Sequence, residues 1–271
     1  MILRTATALG LIVLVLVALF WSPFFLFLLF IDAFILLALL EFFRLHPGPE
    51  YRLLAPTLGL NLLWPWIWNY FPEAVLPFLF FSVIALLTWT MIRETELRAS
   101  LGRASTNLFS MCYIGLPLTL ASAYQVHSPL SEVHPERPFL LLLALLAVWL
   151  SDSGAYFVGR FLGKRKITPG ISPGKTLEGF IAGLALPALV IPAIGGAMAS
   201  LPAASPVYWA GFGLTVAAAA ILGDLFESTL KRGAGAKDSG RLFPGHGGVL
   251  DRIDSLLFAF PAFYLYTLGL V

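Results

Sequence analysis

Three aspartates near the ends of apolar segments are the first candidates for chemistry. Asp224 lies at the end of one such segment, and Asp251 and Asp254 lie three residues apart at the start of the next. A carboxylate costs about 2.5–3.5 kcal/mol at the centre of a membrane helix, so an acid kept near one is a functional candidate. Mg²⁺ prefers oxygen ligands and commonly uses one or two carboxylates together with substrate phosphates. A single aspartate is better explained by pairing with a neighbouring base. Because acids flank both ends of one loop, however, we predict a metal site at Asp224, Asp251 and Asp254.

The loop between these acids, predicted to span 226–253, is basic and rich in glycine. Lys231, Arg232 and Lys237 can neutralise phosphate charge, and glycines let backbone N–H groups approach an anion closely. Cytoplasmic loops are basic for topological reasons alone, which explains the charge but not the glycines or the flanking acids. His246, in the turn with Gly247 and Gly248, is predicted to hydrogen-bond a phosphate rather than to act as a nucleophile.

A second polar loop, predicted at 159–176, ends in Gly174-Lys175-Thr176. This resembles the end of a P-loop, but the first glycine of that motif would fall at Pro169 and no strand precedes it, so a P-loop is excluded. A weaker prediction stands. Ser172, Lys175 and Thr176 lie where the next helix begins, and the N–H groups of a helix N-terminus favour phosphate.

Apolar segments of spanning length must position these loops, because a membrane helix needs roughly 20 mostly apolar residues. Backbone groups in lipid must be satisfied within the segment, and these segments do not alternate as barrel strands do. We therefore predict an all-α polytopic membrane protein with about nine transmembrane helices. The predicted spans are 6–21, 24–43, 53–70, 74–92, 106–124, 138–158, 177–197, 207–225 and 254–270.

The distribution of basic residues sets the orientation. All but Arg137 of the 17 lysines and arginines fall on alternate connecting segments, beginning with the N-terminus. The positive-inside rule therefore predicts a cytoplasmic N-terminus and two cytoplasmic loops in the second half. Residues 1–137 are interpreted as a scaffold that could admit lipid, and residues 138–271 as the catalytic region.

Composition excludes several classes of protein. Of the 271 residues, 59% are hydrophobic and 12% are charged, whereas soluble domains are about half apolar and a quarter charged. This excludes a soluble enzyme, a disordered chain and a nucleic-acid-binding domain. One cysteine excludes an intrachain disulfide and a cysteine-based metal site.

Two further acids lie in the second apolar segment. Asp32, at its middle, has no obvious partner in the sequence; a hydrogen bond to another helix or a protonated carboxyl is the simplest interpretation. Glu41 is predicted near the cytoplasmic end of the same helix. The sequence assigns neither of them a function.

The stretch from Ser228 to Asp254 resembles the signature of the phosphatidate cytidylyltransferases, also called CDP-diacylglycerol synthases. The matching elements are Ser228-x-x-Lys231-Arg232, Lys237-Asp238-Ser239, Pro244-Gly245-His246-Gly247-Gly248 and Asp251-Arg252-Ile253-Asp254. Three further parts of the sequence resemble the bacterial members of this family: Ser151–Tyr156, Lys164 and Ser172–Thr176. The close match covers about 150–255, and the hydrophobic layout agrees over the whole chain.

The resemblance implies a reaction in which CTP and phosphatidate give CDP-diacylglycerol and pyrophosphate. It implies Mg²⁺, with K⁺ as a possible second cation, a homodimer, and an inner-membrane enzyme whose site faces the cytoplasm. By motif, Asp224, Asp251, Lys231 and Lys237 would be catalytic, and Asp224 and Asp251 would hold the metal with Asp254 close by. The substrates would be bound by Ser172, Lys175, Thr176, Arg232, Asp238, His246, Gly247, Gly248 and Arg252.

Three alternatives are considered. A CTP-dependent polyprenol kinase would share the basic loop but transfer the γ-phosphate. A cation transporter would use Asp152, Asp224 and Asp251 as an ion path, which requires acids at several membrane depths rather than on one side. A CDP-alcohol phosphotransferase would need a tightly spaced aspartate motif that this sequence lacks.

Overall fold

A computed structural model describes residues 2–45, 54–93, 97–126, 137–197, 205–243 and 247–268. Within these ranges the chain forms helices and no strand, apart from two isolated bridges. The α-helices are α1 (Ile2–Phe20), α2 (Phe24–Leu45), α3 (Leu54–Tyr70), α4 (Val75–Arg93), α5 (Leu97–Ser110), α6 (Leu116–Val126), α7 (Arg137–Phe161), α8 (Leu177–Ala197), α9 (Pro206–Gly233) and α10 (Leu250–Leu268).

Within the described ranges, each predicted span overlaps helical structure. The fifth predicted span covers parts of α5 and α6 and the short π-helical stretch Met111–Gly115 that joins them. Five helices of the described ranges are long and apolar enough to cross a membrane, namely Phe24–Leu45, Pro72–Arg93, Pro138–Phe161, Leu177–Ala197 and Pro206–Gly233. The protein is therefore an all-α polytopic membrane protein, and the number of crossings stays a prediction.

The predicted loop at 226–253 is wrong at its start, because α9 continues to Gly233. The last two turns are polar but still helical: Glu227 pairs with Lys231 one turn later, and Thr229 Oγ1 donates to Leu225 O at 2.8 Å. Hydropathy shows where a helix leaves the lipid, whereas the helix itself ends where its hydrogen bonds end. The segment between α9 and α10 is correspondingly shorter than expected.

The chain forms two compact units. The first contains Met1–Val126 together with Asp238–Arg252, a segment that lies much later in the sequence. Its core includes Trp64, packed with Leu60, Leu86 and Met111. On α4, Leu76, Phe80, Phe81 and Ile84 are all more than half exposed, as expected of a helix face that meets lipid acyl chains.

The second unit contains His127–Lys237 and Ile253–Val271. Here α7, α8 and α9 pack against one another. A Cβ at Gly179 would lie 2.7 Å from Ala155 O, and one at Gly183 would lie 3.1 Å from Ser151 O. These small residues let the backbones of α7 and α8 approach closely, as in other membrane helix pairs. The unit therefore holds the start of α8 close to the C-terminal end of α7.

Candidate active site

The second unit brings together one candidate residue from each of the two polar regions. Lys175, just before α8, places its Nζ 2.9 Å from Oδ2 of Asp224 on α9. The two side chains are 22% and 36% exposed. Lys175 Nζ is shielded from solvent and makes no well-aligned hydrogen bond to the described residues. An ammonium has three donors, so this lysine retains capacity for an additional acceptor such as a phosphate oxygen.

A second acid lies near this pair. Asp254 on α10 interacts electrostatically with Asp224, with Asp152 on α7 and with Lys231. The approach of α9 to α10 depends on Gly223, where a Cβ would lie 2.6 Å from Asp254 O. The unit thus gathers carboxyl groups from α7, α9 and α10, with Lys231 close to them. Among the residues that the structure describes, no group of three or more His, Cys, Asp or Glu side chains could hold a metal ion unaided.

Lys175 is fixed by a short, hydrogen-bonded loop. Ile167 N donates to Lys175 O at 3.3 Å, and Leu177 N donates to Arg165 O at 2.8 Å. From the first turn of α8, Glu178 Oε2 accepts from the backbone N–H of Lys164 at 3.0 Å. These bonds tie both arms of the loop to the start of α8, so Lys175 is held where the helix begins.

The neighbours of Lys175 have different surroundings. Thr176 is buried, and its Oγ1 accepts from Gly179 N at 3.2 Å, which caps the N-terminus of α8. Ser172 is half-buried, and its backbone N–H donates to Thr168 O at 2.9 Å. The structure therefore gives Thr176 a capping function, and phosphate contacts from either hydroxyl stay predictions.

The bases at the end of α9 are held to different degrees. Lys231 pairs with Glu227, whose side chain is fully buried. Arg232 Nε donates to Ile171 O and its guanidinium to Ala236 O, both at 3.3 Å. Arg232 thus links the loop before α8 to the loop after α9, while Lys237 lies exposed at the end of this unit.

The first unit contains the rest of the candidate signature, organised around Asp251. Its Oδ2 accepts from Ser239 N at 2.9 Å, Gly248 N at 2.8 Å and Ser239 Oγ at 2.8 Å. Gly247, at φ +81°, adopts a conformation that L side chains rarely adopt, and a Cβ there would lie 3.1 Å from Asp251 Cγ. Asp251 therefore organises the loop that precedes α10.

Sequence reasoning missed the contacts of Glu41 with the loop before α10. This buried carboxylate near the end of α2 accepts from Ser239 Oγ at 3.1 Å and from Leu250 N at 2.8 Å. The only signal in the sequence was an acid in an apolar helix, since its partners lie about 200 residues away. Asp32 makes the predicted kind of interhelical bond, accepting from Trp66 Nε1 at 2.7 Å.

The contacts around the Lys175–Asp224 pair and around Asp251 do not involve the remaining predicted site residues that the structure describes. Asp238 and Arg252 are exposed, and their contacts with substrate stay predictions. His246 lies outside the described residues.

The helices define a polytopic helical membrane protein whose polar clusters lie beside the starts of α8 and α10. Residues 2–269 match the Cytidylyltransferase family. The chain belongs to that family, which makes it a nucleotidyltransferase.

Similar proteins carry a more specific name. The chain is 36% identical over 219 residues to the phosphatidate cytidylyltransferase of Bacillus subtilis (strain 168), a match that covers 76% of each protein. It is 39% identical over 178 residues to the phosphatidate cytidylyltransferase of Staphylococcus saprophyticus, covering 65% of this chain and 63% of the relative. With the phosphatidate cytidylyltransferase of Haemophilus influenzae it shares 50% identity over 132 residues, covering 47% and 46%.

Proposed function

We propose that this protein is a CTP:phosphatidate cytidylyltransferase, which forms CDP-diacylglycerol and pyrophosphate. Family membership over residues 2–269 and the named relatives support this activity. The structural observation that carries the proposal is the Lys175–Asp224 pair at 2.9 Å, which joins the predicted phosphate-binding base to the predicted metal-binding acid.

The chemistry requires charge control more than proton transfer. A phosphate oxygen of phosphatidate attacks the α-phosphorus of CTP; an O–P bond forms, the bond to the β-phosphate oxygen breaks, and pyrophosphate leaves with that electron pair. The nucleophile is already an anion, so no strong general base is needed. Such reactions are accelerated mainly by positioning and by stabilisation of the developing charge.

The residues of the second unit fit these requirements. Lys175 and Lys231 place ammonium groups near acids, and Arg232 holds the two polar loops together through Ile171. The N-terminus of α8, capped by Thr176, presents backbone N–H groups in a position favourable for an anion. In this proposal, these groups bind and orient the phosphates.

Mg²⁺ is the proposed cofactor, and the donor set fits it. Asp224 and Asp254 supply hard carboxylate oxygens near one another, and Asp224 is partly exposed. One or two carboxylates suffice for Mg²⁺ when a nucleotide supplies further ligands. Asp224 and Asp254 would hold the ion, which would neutralise charge on the triphosphate. Asp251 is kept as a third candidate ligand, and K⁺ as a candidate second cation.

We also propose the setting of the enzyme. Apart from Arg137, the 17 lysines and arginines lie on segments that alternate with the predicted spans, which supports a cytoplasmic site in the inner membrane. A water-soluble nucleotide and a membrane lipid can meet at that interface. A homodimer is proposed from the family resemblance, and crosslinking in native membranes tests it.

The decisive experiment supplies purified protein, in phosphatidate-containing vesicles with Mg²⁺, with CTP labelled at either the α- or the γ-phosphate. We expect the α-label in lipid and the γ-label in released pyrophosphate. Transfer of the γ-label to a polyprenol would instead indicate a lipid kinase. Ion flux in vesicles, with no lipid product from either label, would indicate a transporter.

A further inference from the structure

Glu41 is buried near the end of α2, in a helix that otherwise faces lipid and core. Its side chain is 4% exposed. Its Oε2 accepts from the backbone N–H of Leu250, the first residue of α10, and from Ser239 Oγ. Both partners belong to the segment Asp238–Arg252, which lies in the same compact unit as α2. A buried carboxyl group is costly unless it is hydrogen-bonded, and the two donors of this loop offset that cost.

Two glycines of the loop fit closely around this carboxylate. A Cβ at Gly240 would lie 2.6 Å from Glu41 Cδ, and a Cβ at Gly248 would lie 2.5 Å from the same atom. Real Cβ atoms essentially never make such contacts, so any larger residue would displace the loop or Glu41. Gly240 and Gly248 therefore leave the room that the Glu41 carboxyl group needs to lie against the loop.

Ser239 connects Glu41 to Asp251. Its Oγ lies 3.1 Å from Glu41 Oε2 and 2.8 Å from Asp251 Oδ2. Because a hydroxyl has one hydrogen, it donates to one carboxylate at a time. The backbone N–H of Leu250 holds Glu41 in either case, while the backbone N–H groups of Ser239 and Gly248 hold Asp251.

We propose that Glu41 is a positioning residue for cytidylyl transfer: from α2 it fixes the loop that sets the orientation of Asp251. This inference depends on the proposed function, because it assigns Asp251 to that reaction. Groups that orient metal- or substrate-binding carboxylates typically affect affinity or rate by about 10–100-fold when removed. Glu41 lies outside the signature motif, which explains why a motif search does not find it.

The test compares the full-length wild type with Glu41→Ala and Glu41→Gln in phosphatidate-containing vesicles. The kcat, the KM for phosphatidate and the free Mg²⁺ concentration at half-maximal rate are measured. In Glu41→Ala we expect kcat to fall, and the Mg²⁺ midpoint to rise, by about tenfold, with the KM for phosphatidate unchanged. Glu41→Gln should recover most of both, because an amide oxygen can accept both bonds.

Asp32→Asn is the matched control. Asp32 lies on the same helix and its carboxylate is also hydrogen-bonded, but to Trp66 rather than to the loop. Its Mg²⁺ midpoint should equal that of the wild type. The amount of folded protein, from size-exclusion chromatography, normalises every rate.

The outcomes separate the two proposals. A wild type that makes no CDP-lipid contradicts the proposed function. An active wild type whose Glu41→Ala variant keeps kcat and Mg²⁺ midpoint, or loses activity only in proportion to folded protein, contradicts the positioning role. If Glu41→Ala does not fold, Glu41→Asp carries the test, since the shorter side chain keeps the carboxyl group and withdraws it from Ser239 Oγ and Leu250 N. An unchanged midpoint there overturns the inference.

Discussion

Lys175, just before α8, and Asp224 on α9 form a partly buried ion pair, with Nζ 2.9 Å from Oδ2. Each belongs to a different polar region of the chain, and each was predicted for a different task, one to bind phosphate and the other to bind a metal. Attraction between opposite charges strengthens as the surroundings lose water. In the proposed reaction, this attraction keeps a basic and an acidic group together for the nucleotide phosphates and the metal ion.

A charge exchange distinguishes a functional pair from a structural one. Asp224→Asn and Lys175→Ala should each lower kcat/KM for CTP about a hundredfold, the size of effect seen when a group that stabilises transition-state charge is removed. The double variant Lys175→Asp/Asp224→Lys keeps opposite charges in contact but exchanges their places. It should fold like the wild type and stay inactive in the pyrophosphate-release assay. Recovery of activity in the double variant would show that only the salt bridge matters.

Hydropathy was sufficient to predict where the apolar helices of the described ranges lie. The seventh predicted span is 177–197, and α8 has those bounds. Local spacing also placed Lys175 beside a helix N-terminus. Such features depend on nearby residues and on the solvent, both of which a sequence records directly.

Contacts between distant segments could not be predicted in this way. Glu41 binds Ser239 and Leu250, about 200 residues further along the chain. Nothing in a single sequence indicates which loop folds against which helix, because packing of the whole unit decides it. The length of α9 beyond Leu225 was missed for a related reason: polar residues continue a helix when their own hydrogen bonds and ion pairs support it.

Asp251 should be required for its charge and not only for its shape. In Asp251→Asn one oxygen remains to accept the bonds from Ser239 and Gly248, so the loop and the fold should persist. Loss of the negative charge should nevertheless abolish CDP-lipid formation, by at least about a hundredfold. Labelled CTP and thin-layer chromatography of the lipids measure this. Near-normal turnover in a folded Asp251→Asn variant would contradict the assignment of Asp251 to the reaction.

Removal of divalent cations should stop the reaction reversibly. Treatment with EDTA should abolish pyrophosphate release, and added Mg²⁺ should restore it, because oxygen ligands such as Asp224 and Asp254 bind hard cations without trapping them. Exchange of K⁺ for an organic cation tests the second ion, and we expect a lower rate. Asp224→Asn should need at least about tenfold more Mg²⁺ for any residual activity. Full activity in EDTA would contradict a metal-dependent mechanism.

Gly248 and Gly233 form a matched pair for testing the fit of the loop around Glu41. Gly248→Ala would place a Cβ 2.5 Å from Glu41 Cδ, whereas nothing lies within 4 Å of a Cβ at Gly233. Overpacking of this kind costs about 1–3 kcal/mol, so Gly248→Ala should lower both thermal stability and activity, and Gly233→Ala should change neither.

Combining Gly248→Ala with Glu41→Ala makes the cause of that loss testable. If the new methyl group clashes with the Glu41 carboxylate, removal of that carboxylate relieves the clash, and the double variant should be more stable than Gly248→Ala alone. Residues in contact are expected to show such non-additivity, and distant ones are not. Thermal unfolding of the wild type, the two single variants and the double variant, all in one detergent, measures the coupling. Additive effects would mean that Gly248 is required for backbone conformation or substrate contact instead of for the approach to Glu41.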